Sequence, residues 1–385
     1  MLCLTGVLVV GQLYAVIPLY GRLAESWDVS SSAAGWTATT FGLGYAAGFL
    51  LFGPLADRFD RRGLLVVGLV ATAVTTAAVA AAPDLTTGSA ARVAQGLAAA
   101  TFAPAAFAYV ARHVDPDRRV TAMTCLTSSF LSAGVLGQVY SQLLSGLGWR
   151  AVFAISGIGL VGCAVLVRLT LRRDAGTGSA SLGSVYRTMG GLTSNPVVLL
   201  LLGATATVLS SFVAVYTALQ LAGPVGIAGD NGALLGLRAS ALPAMAIVPL
   251  ATPLLVRLAA GTRVAAALAL AAVIAALTAL VSGGGGLTPV LTGLLLFPLV
   301  LAVVVAAPAL VEALGAQAGP ARGAAVALYT FALFVGASLG SPLASALLDA
   351  DVLGGGFAGV VAVVSGLLAV GAALAAAAHR KAVRS

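Results

Sequence analysis

Long apolar runs alternate along this chain with short charged or Gly/Pro-rich breaks. Each run is close to the roughly 20 residues that a helix needs to cross the hydrocarbon core of a membrane. Backbone groups in lipid must be satisfied within the protein, which makes the helix the default spanning element. The pattern predicts twelve spanning helices, over residues 4–23, 33–55, 64–82, 88–111, 120–146, 151–171, 197–221, 234–257, 263–282, 288–312, 323–348 and 355–378.

The composition agrees with a membrane protein that crosses the bilayer many times. Of the 385 residues, 60% are apolar and 8% are charged, and the mean hydropathy is +1.07, whereas a soluble domain carries about 25% charged residues. The net charge of +8 is spread over short loops, so it does not indicate a nucleic-acid partner. The chain opens directly into the first apolar run, and no removable signal peptide is predicted.

The positions of the 20 arginine and lysine residues predict the orientation. With a cytoplasmic N-terminus, 16 of them fall in inside loops, one (Arg92) lies within a helix, and three (Arg22, Arg150 and Arg238) fall outside. This asymmetry follows the positive-inside rule and places both termini in the cytoplasm.

One linker-like stretch, residues 172–196, divides six predicted helices from six. The predicted organisation is an N-terminal six-helix bundle over 1–171, a cytoplasmic linker over 172–196, and a C-terminal six-helix bundle with a short tail over 197–385. An internal similarity supports a duplication: Arg119, Leu136-Gly137 and Leu144 recur as Arg322, Leu339-Gly340 and Leu347 at a constant offset of 203. Two bundles related by an axis along the membrane normal would give this pattern.

Three short motifs carry a resemblance to a known family. The turn after the second helix reads Gly-Pro-Leu-Ala-Asp-Arg-Phe-Asp-Arg-Arg over residues 53–62. It resembles the Gly-x-Leu-Ala-Asp-Arg-x-Gly-Arg-Arg signature of the major facilitator superfamily of secondary transporters, with Asp60 in place of the second glycine. Residues 92–96 read Arg-Val-Ala-Gln-Gly, and residues 148–153 read Gly-Trp-Arg-Ala-Val-Phe. These look like the superfamily's Arg-x-x-Gln-Gly motif and the Gly-Trp-Arg-x-x-Phe start of helix 6 in many bacterial efflux permeases.

The resemblance covers nearly the whole chain and implies both a fold and a function. The implied fold is an all-α integral membrane protein, with twelve transmembrane helices in two pseudo-symmetric six-helix bundles. The implied function is secondary active transport by alternating access, similar to the proton-driven drug and sugar efflux branch, although helix 5 lacks the Gly-Pro pair of many antiporters. Abundant alanine and arginine beside a single lysine are typical of a GC-rich bacterial genome, so we expect the bacterial cytoplasmic (inner) membrane.

The charged turn is predicted to form part of a cytoplasmic gate. The gate residues are Gly53, Asp57, Arg58, Arg61, Arg62 and Arg112. Asp57 can pair with Arg112 at the inside end of helix 4, and it can face the positive N-terminal end of helix 11. The alternative is that the arginines only anchor the topology at the negatively charged leaflet.

Three charged residues are candidates for coupling transport to protons: Arg92, Glu25 and Glu312. A guanidinium within a spanning helix costs about 2.5 to 3.5 kcal/mol on the insertion scale, so Arg92 needs partners. These are either helix 1 carbonyls near Pro18 or the carboxylate of Glu25, unless the side chain snorkels to the outer surface. Glu312, the one carboxylate within the predicted helices of the second half, is either a proton site or a solvated helix end.

Substrate contacts are expected from the mid-depth faces of both bundles. The candidates are Gln12, Tyr14, Tyr45, Gln138, Gln142, Ser211, Tyr216, Met245, Phe297, Tyr329 and Phe334. Each is alternatively a hydrogen-bond or packing partner between helices. As a set they describe an apolar, aromatic and uncharged cavity, which favours a neutral or amphipathic organic solute.

The resulting prediction is proton-coupled efflux of a small drug-like or sugar-like compound. The alternatives are a proton-coupled importer or facilitator of a small nutrient, and a membrane sensor that binds a solute without transporting it. An enzyme is not predicted, because His113 and His379 lie far apart at helix ends and no catalytic or metal-ligand cluster lies at membrane depth. No cofactor is expected. The expected partners are a small organic substrate, protons and membrane lipid, and the chain is expected to be a monomer.

Overall fold

The computed structural model describes residues 1–53, 59–173, 182–224, 226–255 and 257–384. Within these ranges the chain is almost entirely helical, and none of the described residues lies in a β-strand. The all-α membrane fold predicted from the apolar runs is therefore confirmed. Eight of the described helices are long and apolar enough to cross a membrane by length and composition, and a bent pair at the N-terminus brings the number to nine.

The first six predicted spans coincide with helices of the first half of the chain. These are α1 (Leu2–Tyr14), α2 (Tyr20–Trp27), α3 (Ser31–Ala34), α4 (Trp36–Phe52), α5 (Arg61–Ala81), α6 (Leu85–Ala99), α7 (Phe102–His113), α8 (Pro116–Leu144) and α9 (Trp149–Thr170). A 3-10 turn over Ile17–Leu19 joins α1 to α2, and the two parts of this first span are bent by 43°. Helices α6 and α7 continue each other as one span of 29 residues.

The second half repeats this organisation after a helix within the predicted linker. Its helices are α10 (Leu182–Thr193), α11 (Pro196–Ala222), α12 (Asn231–Ala239), α13 (Leu242–Leu255), α14 (Ala260–Gly283), α15 (Pro289–Ala318), α16 (Arg322–Asp349) and α17 (Gly356–Arg384). Twelve spans are consistent with this arrangement when α12 and α13 count as one. Three of the twelve are not recognised by length and composition: α4, which has 17 residues, α12 and α13, which have 9 and 14, and α8.

The chain forms two compact units, Met1–Tyr186 and Arg187–Ser385. In the first unit, α1 packs on α8, α4 on α6, and α5 on α9. In the second unit, α11 packs on α16, α13 on α15, and α14 on α17. The two sets correspond span by span, as a duplicated six-helix bundle requires.

The glycine repeat seen in the sequence has a structural counterpart. A Cβ atom on Gly137 would lie 2.6 Å from the carbonyl oxygen of Gly11, and one on Gly340 would lie 2.8 Å from that of Ser210. Both glycines therefore let two helix backbones approach closely, α8 to α1 in the first unit and α16 to α11 in the second. Gly137 and Gly340 are related by the offset of 203 residues, so the repeat marks the same packing contact twice.

Burial separates inner helices from outer ones. The apolar windows of α5, α9 and α17 are each 39% buried, whereas that of α11 is 67% buried and that of the α6–α7 span is 61% buried. The exposed side chains of the outer helices are large and apolar, for example Val67 and Ile158, as expected for surfaces against lipid. The faces of these helices that turn away from lipid, on outer and inner helices alike, carry the buried polar residues from which a site can be built.

Candidate functional site

Arg92 lies at the centre of a buried polar cluster in the first unit. The side chain is fully buried. Its Nε donates a hydrogen bond to the carbonyl oxygen of Thr37 at 2.9 Å, and its Nη1 donates to the carbonyl oxygen of Gln12 at 2.9 Å and to Oε1 of Gln95 at 2.7 Å. The guanidinium carbon also lies 4.3 Å from the ring centre of Phe41. Carbonyl oxygens, a side-chain amide and an aromatic ring together stabilise a cation that has left water.

Hydrogen bonds extend this cluster across the bundle. Gln95 donates from Nε2 to the hydroxyl oxygen of Thr76 at 2.7 Å and to Oε1 of Gln12 at 3.3 Å. Gln12 in turn donates to the hydroxyl oxygen of Tyr140 at 3.3 Å. The Tyr140 hydroxyl also shares a hydrogen bond of 2.6 Å with the hydroxyl of Ser156. The network therefore joins α1, α4, α5, α6, α8 and α9.

The structure decides among the partners that the sequence left open for Arg92. Snorkelling is wrong, because none of the side chain is exposed. Bonding to helix 1 carbonyls is present, but at Gln12 and Leu13 rather than at Pro18. Glu25 is exposed and is not among the partners of Arg92 in the described part of the chain. Sequence reasoning missed the rest of the network, for which the only signal was the Arg-x-x-Gln spacing of one helical turn.

A second set of contacts lies at the Gly-Trp-Arg motif and joins the ends of α2 and α5 to the start of α9. The carbonyl oxygen of Ala82 accepts hydrogen bonds from Trp27 Nε1 at 3.3 Å and from Arg150 Nη2 at 3.2 Å. The rings of Trp27 and Trp149 pack edge to face, with centres 5.2 Å apart. Arg150 therefore holds the ends of α2, α5 and α9 together, in addition to its predicted place outside the membrane.

Asp84 fixes the start of α6, the helix that carries Arg92. Its carboxylate accepts hydrogen bonds from the backbone N–H of Thr87 at 2.8 Å and from the hydroxyl of Thr87 at 3.0 Å. These donors hold the pKa of the Asp84 carboxyl below its usual range. The cap also satisfies backbone donors that a helix N-terminus leaves unpaired.

The predicted gate turn is described only in part, because Asp57 and Arg58 lie outside the described residues. Gly53 follows the end of α4, with its N–H bonded to the carbonyl oxygen of Phe49 at 3.0 Å. Of the three remaining gate residues, Arg61 is buried, Arg62 donates to the Leu171 carbonyl oxygen at 3.2 Å, and Arg112 is exposed at the end of α7.

Asp60 explains why the signature's second glycine is dispensable in this chain. Its φ angle is −52°, so the position needs no glycine. Its carboxylate accepts hydrogen bonds from the backbone N–H groups of Arg62 at 3.2 Å and Gly63 at 3.1 Å. An aspartate at this position therefore caps α5 and sets where the helix begins.

Two charged sites in the second unit can be compared with the sequence interpretation. Glu312 of α15 forms an ion pair with Arg263 of α14, with Glu312 53% exposed and Arg263 7% exposed. The exposure of Glu312 agrees with the solvated helix end that the sequence offered as one alternative, and the ion pair with Arg263 is an addition to it. Arg238, expected in an outer loop, lies within α12 with 1% of its surface exposed and donates to Oε1 of Gln220 at 2.5 Å.

The candidate cavity residues of the first unit are buried, and several already have partners. Gln12 belongs to the Arg92 network, and Gln138 donates to the carbonyl oxygen of Gly134 in its own helix at 2.8 Å. Tyr14, Tyr45 and Gln142 are also buried. Gln12 and Gln138 therefore act in this structure as the hydrogen-bond partners between or within helices that the sequence left as an alternative.

In the second unit, the structure brings two of the candidates to one small cavity. Ser211 and Tyr216 line a space of about 10 Å³ with the apolar residues Phe212, Val215, Leu299, Val300 and Val303. Ser211 donates to the carbonyl oxygen of Thr207 at 2.7 Å, whereas the buried Tyr216 hydroxyl has no partner among the described residues.

The other candidates of the second unit do not line this cavity. Tyr329 and Phe334 are buried and Phe297 is half-buried. The side chain of Met245 lies outside the described part of the chain.

Comparison with known proteins gives matches along the chain. The sequence profile of the Major Facilitator Superfamily matches residues 2–341. An uncharacterised MFS-type transporter of Bacillus subtilis, YceJ, is 27% identical over 158 residues, 41% of this chain and 40% of the relative. The niacin transporter NiaP of Acinetobacter baylyi is 27% identical over 38% of this chain and 34% of its own length. The methylenomycin A resistance protein of Streptomyces coelicolor is 29% identical over 38% of this chain and 31% of its own length.

These relatives are matched over two fifths of their own length or less. A solved structure is similar over a far larger share. The crystal structure of a bacterial homologue of the human lysosomal transporter Spinster, inward-facing and unoccupied, covers 100% of this chain and 96% of its own at a TM-score of 0.69. The sequences are 17% identical, so the likeness is one of fold.

Proposed function

Because the chain belongs to the major facilitator superfamily, we propose that it exports a small neutral or amphipathic organic compound, drug-like or sugar-like, in exchange for protons. The superfamily consists of transporters, so the chain is a multi-pass membrane transporter and not an enzyme. Transport by alternating access requires two bundles that rearrange around one site. The two compact units on either side of Tyr186 and Arg187 supply candidates for those bundles.

The observation that supports this substrate class is the small cavity between α11 and α15. Seven side chains line it, and six of them carry an apolar or aromatic surface with no charged group. Its volume of about 10 Å³ leaves room for about one water molecule, so α11 and α15 have to separate before part of a solute can enter. Once opened, this lining would present an apolar surface to one ring or one alkyl end of a larger solute, with the Tyr216 hydroxyl nearby as a donor.

Replacing Tyr216 by phenylalanine is expected to raise the KM for transport about three- to tenfold. The change keeps the ring and removes a hydroxyl whose hydrogen bond to a substrate is worth about 0.5–1.5 kcal/mol. Initial rates of solute flux in proteoliposomes measure it. Ser211→Ala is the matched control, because the Ser211 hydroxyl lines the same cavity but already bonds its own helix. Equal KM values for Tyr216→Phe and wild type would remove Tyr216 from the substrate site.

The experiment that tests the proposed function uses purified protein in liposomes with an imposed pH gradient and an internal pH dye. The panel contains methylenomycin A, the lipophilic dye N-phenyl-1-naphthylamine, nicotinate and neutral sugars. Proton movement that depends on one class of compound is the expected result. Solute flux without proton movement would replace exchange by facilitated diffusion, and binding without flux would favour a sensor.

Import of a small nutrient is the second candidate, and the likeness to the niacin transporter favours it. The same liposomes separate the two directions. The protein inserts into the liposomes in both orientations, and a site-directed thiol reagent added on one side leaves a single orientation active. The sign of the pH gradient that drives accumulation then gives the direction of transport. Accumulation of nicotinate with protons, rather than against them, would establish import.

Coupling is proposed to involve Arg92 and the Glu312–Arg263 pair. Glu312 has both a cationic partner and access to solvent. Protonation of Glu312 would remove the charge that compensates the buried Arg263, and this would weaken the contact between α14 and α15. Glu25 is exposed at the end of α2, and we give it no part in the proposed coupling beyond that of an acid at the protein surface.

Asp57→Asn is expected to lower gradient-driven transport about tenfold while leaving the protein folded in the membrane. The change removes the charge that the proposed cytoplasmic gate needs for its charge-assisted contacts with Arg112 and with the N-terminal end of α16, the eleventh predicted span. A tenfold effect corresponds to about 1.4 kcal/mol. Asp60→Asn is the matched control in the same turn, because asparagine caps a helix as well as aspartate. Full activity of Asp57→Asn would leave the charged turn as a topology anchor.

The same proposal includes the placement of the chain. We place it in the bacterial cytoplasmic membrane as a monomer, with residues 1–171 and 197–385 as the moving bundles and 172–196 as a cytoplasmic linker. The positive-inside distribution supports cytoplasmic termini. Protease accessibility of terminal tags in sealed vesicles tests this orientation.

A further inference from the structure

The first spanning helix is broken near its middle. Helix α1 ends at Tyr14, a 3-10 turn follows over Ile17–Leu19, and α2 begins at Tyr20 with a bend of 43° between the two parts. Pro18 lies in the turn and has no N–H to continue the helical ladder. Such a break leaves the last carbonyl groups of α1 without their usual partners, and in a membrane these groups have to find others.

Side chains from two neighbouring helices supply those partners. The carbonyl oxygen of Gln12 accepts from Arg92 Nη1 at 2.9 Å, and that of Leu13 accepts more weakly from Arg92 Nη2 at 3.5 Å. The carbonyl oxygen of Ala15 accepts from the hydroxyl of Ser141 at 2.5 Å. Arg92 of α6 and Ser141 of α8 therefore act together as the C-terminal cap of the first half-helix.

The hydrogen bond of Ser141 differs from that of four other buried serines in this chain. Ser129, Ser145, Ser211 and Ser338 each donate to a carbonyl three or four residues earlier in their own helix. Ser141 instead crosses to a residue 126 positions away and is fully buried there. Gly137, one turn earlier on α8, provides the close approach to Gly11 that brings Ser141 within reach of α1.

We propose that Ser141 is a positioning residue for transport: its hydroxyl fixes the break in the first span and so sets the orientation of α2 relative to the end of α1, which carries Gln12 and Tyr14. The inference rests on the proposed function, since Gln12 and Tyr14 are candidate substrate residues. A change in the geometry of this break alters the rate at which the substrate site converts between its inward-facing and outward-facing states. Substrate affinity is affected less, because neither Ser141 nor Ala15 is a candidate contact.

The test is hydrogen–deuterium exchange of the ligand-free protein in lipid nanodiscs. In Ser141→Ala we expect the backbone amides of residues 15–20 to exchange about tenfold faster than in wild type, the effect of losing about one hydrogen bond. Ser141→Thr keeps a hydroxyl and is expected to restore protection. Ser145→Ala, directly after the end of α8, removes a hydroxyl that bonds the carbonyl oxygen of Gln142 in that helix, and it is expected to leave the exchange of residues 15–20 unchanged.

Unchanged exchange at residues 15–20 in Ser141→Ala would overturn the proposal, and so would an equal rise throughout α1 and α8. These measurements need no substrate, so their outcome does not depend on whether the proposed transport function is correct. Once a transported compound is known from the liposome panel, Ser141→Ala is expected to lower kcat about tenfold with KM within twofold of wild type. A rise in KM alone would instead make Ser141 part of the substrate site.

Discussion

Alanine in place of Gly96 is expected to prevent α4 and α6 from packing and to leave little folded protein in the membrane. A Cβ atom at this position would overlap the carbonyl oxygen of Phe41 and would lie 2.8 Å from the backbone nitrogen of Tyr45. Both obstacles are backbone atoms of α4, which cannot rotate away as a side chain can. Overpacking of this kind costs about 1–3 kcal/mol or more, a large part of the roughly 5–15 kcal/mol by which proteins are stable.

The measurement is the monodisperse fraction after detergent extraction, followed by thermal unfolding of what remains. Gly162→Ala is the matched control, since Gly162 lies within α9 with no atom of another element close enough to meet a Cβ. There the same substitution is expected to stabilise the helix by about 0.5–1 kcal/mol. If Gly96→Ala unfolds at the same temperature as Gly162→Ala, the close approach of α4 and α6 is not required for stability.

The spans were predictable because their length reflects the thickness of the membrane rather than any particular contact. The fourth apolar run, 88–111, corresponds to the observed span Leu85–His113, and the ninth, 263–282, lies within α14 at Ala260–Gly283. The helix caps were readable in principle as well. Asp60 and Asp84 each directly precede a helix, which is a sequence signal for a cap.

The candidate site was less predictable, because its contacts join residues that are far apart in sequence. Arg92 was recognised as a charge in need of partners, but only the folded bundle shows that the break after Tyr14 supplies free carbonyls. Arg238 lay within a predicted span, 234–257, and yet its position near a helix end favoured an outer loop. Its burial depends on the packing of α12 on α15 and on the hydrogen bond to Gln220 of α11, for which the sequence has no local signal.

Replacing Arg92 by methionine is expected to destabilise the first unit by about 3 kcal/mol and to abolish gradient-driven transport. Methionine fills a similar volume but donates no hydrogen bond. The carbonyl oxygens of Thr37 and Gln12 and the side-chain oxygen of Gln95 would each lose a charged donor. Leaving a buried acceptor unsatisfied costs about 1–3 kcal/mol, and the lower end of that range is appropriate because hydrogen bonds in membranes contribute less than expected.

Lysine at position 92 separates the charge from the geometry. It keeps a cation in the cluster, but its single ammonium group cannot reach α1, α4 and Gln95 at once as the planar guanidinium does. Arg92→Lys is therefore expected to fall between wild type and Arg92→Met in melting temperature. Arg22→Met, the same change at an exposed arginine of α2, is the matched control and is expected to melt like wild type.

Thermal unfolding and proton-driven flux, measured on the same proteoliposome preparations, decide between two roles for Arg92. If Arg92→Lys is stable but no longer couples solute flux to protons, the guanidinium contributes to coupling beyond its place in the fold. If stability and flux fall together across the lysine and methionine variants, Arg92 acts through the broken helix that it caps. Wild-type stability in Arg92→Met would show that the hydrogen-bond network does not stabilise the fold, because three of its hydrogen bonds would then be lost without cost.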